Sequence, residues 1–108
     1  MPHNDYLMLD DGYVISKPDY EFCKQTIKHS ALFKMFVGSV LNADESFNVW
    51  RKSVKNKAKN VDDCRAAYFF YNGRYLGLRD ACKQVYGDER FTDLLRVYEE
   101  IKGSRICH

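Results

Sequence analysis

Two apolar stripes separated by one glycine constrain this chain more tightly than any other feature. In "LRDACKQVYGDERFTDLLRVYEEIKG", residues 78–103, Leu78, Ala81, Cys82 and Val85 fall on one face at helical spacing. The stripe stops at Gly87, and Phe91, Leu94, Leu95, Tyr98 and Ile101 then form a broader one that ends at Gly103. The pattern predicts a helix, a tight turn with Gly87 as its left-handed stop, and a second helix capped by Asp88. Each helix has one oily face, so the rest of the chain must supply what covers it. With 108 residues there is room for one such core, and residues 1–108 are expected to form a single domain.

Upstream, "YLMLDDGYVIS" sets Asp11-Gly12 between two short apolar runs, which predicts a small hairpin at 6–15. Ser16, with Asp19 three residues on and Pro18 in the first turn, marks a helix start. Phe22, Thr26, Phe33, Phe36, Val37, Val40 and Leu41 then keep helical spacing, as one long helix or as two with a break near His29-Ser30. Asn42, with Glu45 three residues later, predicts a third helix over about 43–58, carrying an apolar stripe of Phe47, Trp50 and Val54. Residues 62–71 read as a short helical turn followed by a strand.

The stretch "FFYNGRYLGLRDACKQVYG" (69–87) then holds Asn72-Gly73, a two-residue turn signal. Pairing about that turn would put Phe69 and Leu76 on one face and Tyr68, Phe70 and Tyr75 on the other. Such a patch is either core or, if exposed, a platform on which bases can stack. If a helix begun at Asp62 ends at Asn72-Gly73 instead, the patch disappears. The fold class expected is α+β and mostly helical, with one or two short β-hairpins packed against three to five helices.

The net charge of +2 is small, but its distribution is uneven. Residues 1–22 carry a net −4 and residues 23–65 a net +5. Within the second group Arg51, Lys52, Lys55, Lys57 and Lys59 follow one another with no acid among them. A cationic helix face of this kind can meet phosphates or an acidic protein, with Arg74 and Arg79 as further basic contacts.

Signs of chemistry are missing from the sequence. No phosphate-binding glycine loop, GxGxxG or CxxC occurs, and His3, His29 and His108 include no pair at i, i+4. Adjacent acids such as Asp62-Asp63 and Asp88-Glu89 point about 100° apart on a helix, so they serve helix starts better than a shared proton or cation. The expectation is a protein that is not an enzyme, with no cofactor, no metal and no small-molecule substrate. The start "MPHNDYLMLDDG" lacks the basic segment and apolar run of a secretory signal, and no membrane-length apolar run follows. The protein is therefore expected in the cytosol, with Cys23, Cys64, Cys82 and Cys107 as free thiols.

The run "YNGRYLGLRDACKQVYGDERFTDLLRVYEEIKG" resembles the hairpin plus helix-turn-helix modules repeated in the tails of intron-encoded and phage homing endonucleases. Tyr71, Gly73, Leu78, Ala81, Cys82 and Gly87 carry the resemblance. It implies a submodule over 68–103 and a protein of phage or mobile-element type whose second helix lies on DNA. No His-Asn-His or Gly-Ile-Tyr nuclease signature accompanies it. That helix would offer Arg90, Thr92 and Arg96 beside Asp88, Glu89, Asp93, Glu99 and Glu100, and carboxylates repel phosphates, so the resemblance implies the fold more than groove reading. Two functions are expected on these grounds. One is a non-enzymatic module associated with nucleic acid through the basic helix face. The alternative is a small inhibitor or adaptor that targets a host protein handling nucleic acid (in defence, restriction, CRISPR or transcription), with the acidic segment 1–22 as a phosphate mimic.

Overall fold

The computed structural model of the chain describes residues 5–103, and the expectations for His3, Cys107 and His108 lie outside them. Two short strands and four helices follow in order: β1 (Tyr6–Met8), β2 (Val14–Ser16), α1 (Lys17–His29), α2 (Ala31–Lys55), α3 (Val61–Tyr86) and α4 (Asp88–Lys102). The protein is thus a mostly helical α+β fold with one antiparallel hairpin. Its principal extents are 63 × 26 × 19 Å and its radius of gyration is 17.1 Å. A chain of this length packed as a ball would have about 13 Å. The excess comes from α2 and α3, which are 25 and 26 residues long and together project from the rest as a helical arm.

The other elements form a head at the base of that arm. In the hairpin Leu7 pairs with Ile15, and Ile15 is buried while Tyr6, Met8 and Val14 of the same strands face water, as strand alternation requires. Its connection is a five-residue loop, 9–13, rather than a two-residue Asp11-Gly12 turn: Leu9 N–H donates to the Tyr13 carbonyl at 2.8 Å, and only Gly12 takes a positive φ, of 88°. Ser16 caps α1 by accepting from the Asp19 N–H at 3.2 Å. Ser30 ends α1 and starts α2 in extended backbone, its hydroxyl accepting from the Phe33 N–H, so the break falls where the sequence offered it.

The core of the head takes side chains from every element. Phe33, Phe36 and Val40 of α2, Cys23 of α1, Cys82 of α3, and Phe91, Leu94 and Val97 of α4 are buried together with Leu9 and Ile15. At the rim, Tyr13 donates from its hydroxyl to the Asp93 carboxylate, which pushes its pKa up to about 12. The Tyr13 backbone N–H and then the Arg96 guanidinium hold the Asp11 carboxyl below the usual carboxylate range.

The arm has a different interior. On α2 the positions 36, 39, 43, 46, 50 and 53 repeat with alternating steps of three and four, and on α3 the positions 64, 68, 71, 75, 78 and 82 do the same. These two seams face each other antiparallel, bringing the Phe36 ring to 5.9 Å from Tyr75 and the Trp50 ring to 5.6 Å from Tyr68. Beyond the head core, Ser39, Ala43, Ser46, Ser53 and Cys64 are its buried residues, so small side chains lie opposite tyrosines. The hydroxyls of Ser39, Ser46 and Ser53 donate to the carbonyls of Phe36, Ala43 and Trp50 at 2.6, 2.9 and 2.6 Å, which removes the cost of burying them.

That seam explains two departures from the sequence pattern. The expected separate helix 43–58 is the distal part of α2, with Asn42 and Glu45 in its interior, because nothing between 38 and 43 interrupts hydrogen bonding and α3 lies alongside. The expected hairpin about Asn72-Gly73, which the resemblance to the endonuclease tails also implied, is instead continuous helix. An isolated hairpin has little to bury, whereas the helix lines up Cys64, Tyr68, Tyr71, Tyr75, Leu78 and Cys82 on one side. Gly73 accordingly has no positive φ. Downstream, α3 and α4 meet at a tight turn, where Gly87 at φ 85°, ψ 155° serves as both stop and cap, in an extended region essentially reserved for glycine, and Asp88 sits in the first turn of α4.

Candidate nucleic-acid interface

The tip of the arm is where the basic run falls. Helix α2 ends in a hydrogen-bonded reversal: the Ala58 N–H bonds the Ser53 carbonyl at 2.9 Å and the Lys57 N–H bonds the Val54 carbonyl at 3.2 Å. The residue in the left-handed position of this motif is Lys57, at φ 51°, the one non-glycine with a positive φ among the described residues. Arg51, Lys52 and Lys55 therefore stand on the last turns of α2, while Lys57 and Lys59 belong to the turn between the helices rather than to a helix face. All five are exposed, and none enters an ion pair among the described residues. Arg65, one turn into α3, adds a sixth exposed cation, against Asp62 and Asp63 at the α3 start.

The structure redistributes the aromatic residues. Tyr68 and Tyr75, seven residues apart, both lie on the seam, but Phe70 is about 200° round the helix from Tyr68. Phe70 is 64% exposed and, among the described residues, its one ring contact is with Tyr71. The expected patch of Tyr68, Phe70 and Tyr75 is therefore not a surface unit, since strand alternation does not apply to a helix. In its place Phe47 and Trp50 of α2 meet Tyr68 and Phe69 of α3. Centroid separations in this group run from 5.4 to 6.2 Å, and Trp50 and Tyr68 are stacked with their planes 26° apart.

Arg74 and Arg79 do not join the tip. At 1.5 Å per residue they lie about 20 and 27 Å along α3 from its start. Arg74 is exposed; Arg79 is half-buried beside the Tyr75 ring, 5.7 Å from its centroid, with its Nε unpartnered. The two arginines of α4 are engaged within the chain: Arg90 pairs with Asp19 at 3.2 Å and Arg96 with Asp11 at 2.9 Å. Those two pairs also neutralise part of the acidic segment expected to mimic phosphate.

Three features escape the sequence reading. Phe47 and Trp50 read there as one apolar stripe, and Phe69 as facing away from Tyr68; only a helical α3 brings them together. Arg65 had no signal apart from its place four residues before Phe69. A groove of about 640 Å³ in the head, between α1, α2 and α4, gathers Lys24, Lys28, Lys34 and Lys102 over Phe33 and Tyr98, although Lys24 is engaged by Glu21 at 3.4 Å. Lys24, Lys28 and Lys34 come from the neighbouring helices α1 and α2, and only packing of α4 brings the distant Lys102 to them.

Among the described residues no group of three or more His, Cys, Asp or Glu side chains is placed to hold a metal ion. No helix among them is long and apolar enough to cross a membrane. No family model, curated protein or solved structure matches the chain.

Proposed function

We propose that this chain is a nucleic-acid-associated binding module of phage or mobile-element type, working in the cytosol without chemistry of its own, that meets phosphates with the tip of its helical arm. The observation that carries the reading is the concentration of Arg51, Lys52, Lys55, Lys57 and Lys59 at the end of the arm, exposed and without ion pairs among the described residues. Unpaired cations keep their full attraction for a polyanion, whereas the arginines of α4 have already given theirs to Asp11 and Asp19. The left-handed Lys57 supports it too, because glycine would relax that position and a strained side chain at an exposed tip points to use.

Oligonucleotide binding followed across a salt series tests the proposal. Four or five phosphate contacts should weaken the complex by roughly a hundredfold or more between about 50 and 200 mM salt. The double variant Lys55→Glu, Lys59→Glu should bind far less at any salt. Absence of binding at the lowest salt rejects this function.

A second reading, in which the arm docks on a host protein that handles nucleic acid, draws on Leu41, Val49 and Val54, whose side chains are 50–56% exposed along α2. It predicts no oligonucleotide binding and a weak salt dependence for capture of that protein.

A further inference from the structure

One flank of the arm combines rings and cations in a way that the tip alone does not require. Phe47, Trp50, Tyr68 and Phe69 form a continuous ring cluster, yet Phe47 is 43% and Phe69 58% exposed, so the cluster is a surface rather than a core. Arg51 lies one helical turn beyond Phe47 on α2, and Arg65 one turn before Phe69 on α3. Cations thus border the rings on both helices. Beside the cluster runs a groove of about 250 Å³ lined by Val40, Phe47, Tyr68, Asn72 and Tyr75, in which the Asn72 amide offers both a donor and an acceptor. Asp44 also lines that groove, and Asp62 stands at the tip end of the flank.

We infer that this flank is a stacking site for the unpaired bases of single-stranded nucleic acid, with Arg51, Lys55 and Arg65 holding the phosphates. The inference rests on the reading of the tip as a phosphate-binding element and names its ligand class. Exposed rings distinguish the two forms of nucleic acid. In a duplex the base faces are already stacked on one another, and a ring can reach them only by unstacking a step at a cost of a few kcal/mol. A single strand presents those faces freely, and stacking on them tolerates any sequence. A purely apolar partner would leave Arg51 and Arg65 desolvated without compensation, whereas phosphates complement them.

The test uses the whole chain and its sole tryptophan, Trp50, which lies in the cluster. An oligothymidylate of about twenty nucleotides, longer than one small binding module covers, is compared with a duplex of the same length. The single strand should bind more tightly and quench Trp50 emission. Phe69→Ala and Phe69→Leu should each weaken single-strand binding by roughly fivefold to a hundredfold, the range measured for losing one stacked ring. Phe69→Tyr should bind like the parent chain, and duplex binding should be the same in all. Circular dichroism of Phe69→Leu and Phe69→Tyr checks that the helices persist.

If both nucleic acids bind and the Lys55→Glu, Lys59→Glu variant loses both, while Phe69→Ala is silent and Trp50 stays unquenched, the stacking site is refuted and the phosphate-binding tip survives. If neither nucleic acid binds, the tip reading fails and the stacking site with it. A dimer in sedimentation that Phe69→Ala disperses would assign the flank to a second copy of the chain and overturn the inference.

Discussion

In the head, Phe33, Phe36, Leu94 and Val97 are fully buried, and side chains from all six elements close around them; in the arm, the buried residues are Ser39, Ala43, Ser46, Ser53 and Cys64, and the large rings lie at the surface. α2 and α3 run through both regions, so the same two helices change from core builders to a display surface along their length. Burial of large apolar side chains is what stabilises a fold, at about 25 cal/mol for each Å² removed from water. The head can supply that stability and the arm cannot. A two-helix seam closed by alanine and serine allows close backbone approach but buries little, so the arm holds its shape because both helices are anchored in the head. Residues that face solvent in the arm are then free to be selected for binding rather than for packing.

The comparison breaks most visibly in the head core. Leu94 is completely buried, and Leu94→Ala should cost about 3–5 kcal/mol, the transfer energy of the lost atoms plus the cavity they leave. Urea denaturation followed by circular dichroism reads this directly. The arm variant Phe69→Ala, from a side chain more than half exposed, should shift the same curve by under about 1 kcal/mol. Equal losses would mean that the arm is a second core.

A smaller effect comes from the rim of the head, where Tyr13 donates to Asp93. Tyr13→Phe should cost about 1–2 kcal/mol near neutral pH, the range for losing one part-buried hydrogen bond to a carboxyl group. The pH dependence has a definite sign. The folded-state pKa of about 12 lies above the ordinary 10, so the contribution is complete below pH 10 and is lost as pH rises through 10 towards 12. The stability gap between the parent chain and Tyr13→Phe should accordingly close over that interval in parallel melts, and a gap that survives to the top of it would place the effect in packing.

Much of the head was legible in the sequence because its signals are local and agree with one another. Ser16 with Asp19 and Pro18, the positive φ of Gly12, the break at Ser30 and the turn at Gly87 each follow from what one residue type does to the backbone. The arm was misread where a local signal opposed a long-range one. Asn72-Gly73 is a strong turn signal in isolation, and the aromatic run around it favours a strand; only the repeat shared by Cys64, Tyr68, Tyr71 and Tyr75 with Ser39, Ala43, Ser46 and Ser53 reveals the helix, and that repeat spans two segments. The cations at 51–59 were found because they are consecutive. The ring cluster was not, because its members come from two helices and assemble only once the fold is known.

The smallest effects probe the backbone of the arm itself, at two positions where the residue present is not the one stability prefers. Gly73 lies inside α3 with no atom within 4 Å of where a Cβ would stand, so Gly73→Ala should stabilise the chain by about 1 kcal/mol, whereas a turn at Asn72-Gly73 would make the same change unfavourable. Lys57 is the converse case: its φ of 51° is strained for a side chain and relaxed for glycine. Lys57→Gly should therefore gain about 0.5–1 kcal/mol, reduced by the added freedom of the unfolded chain. Thermal melts read both gains. The two substitutions part company in binding, because Gly73→Ala touches no cation while Lys57→Gly removes one of five at the tip. Nucleic-acid affinity should hold in the first and fall in the second, with a shallower salt dependence. A tighter fold combined with weaker binding at Lys57 would identify a residue kept in a strained conformation for the phosphate it reaches; a tighter fold with unchanged binding would show that this lysine lies outside the contact.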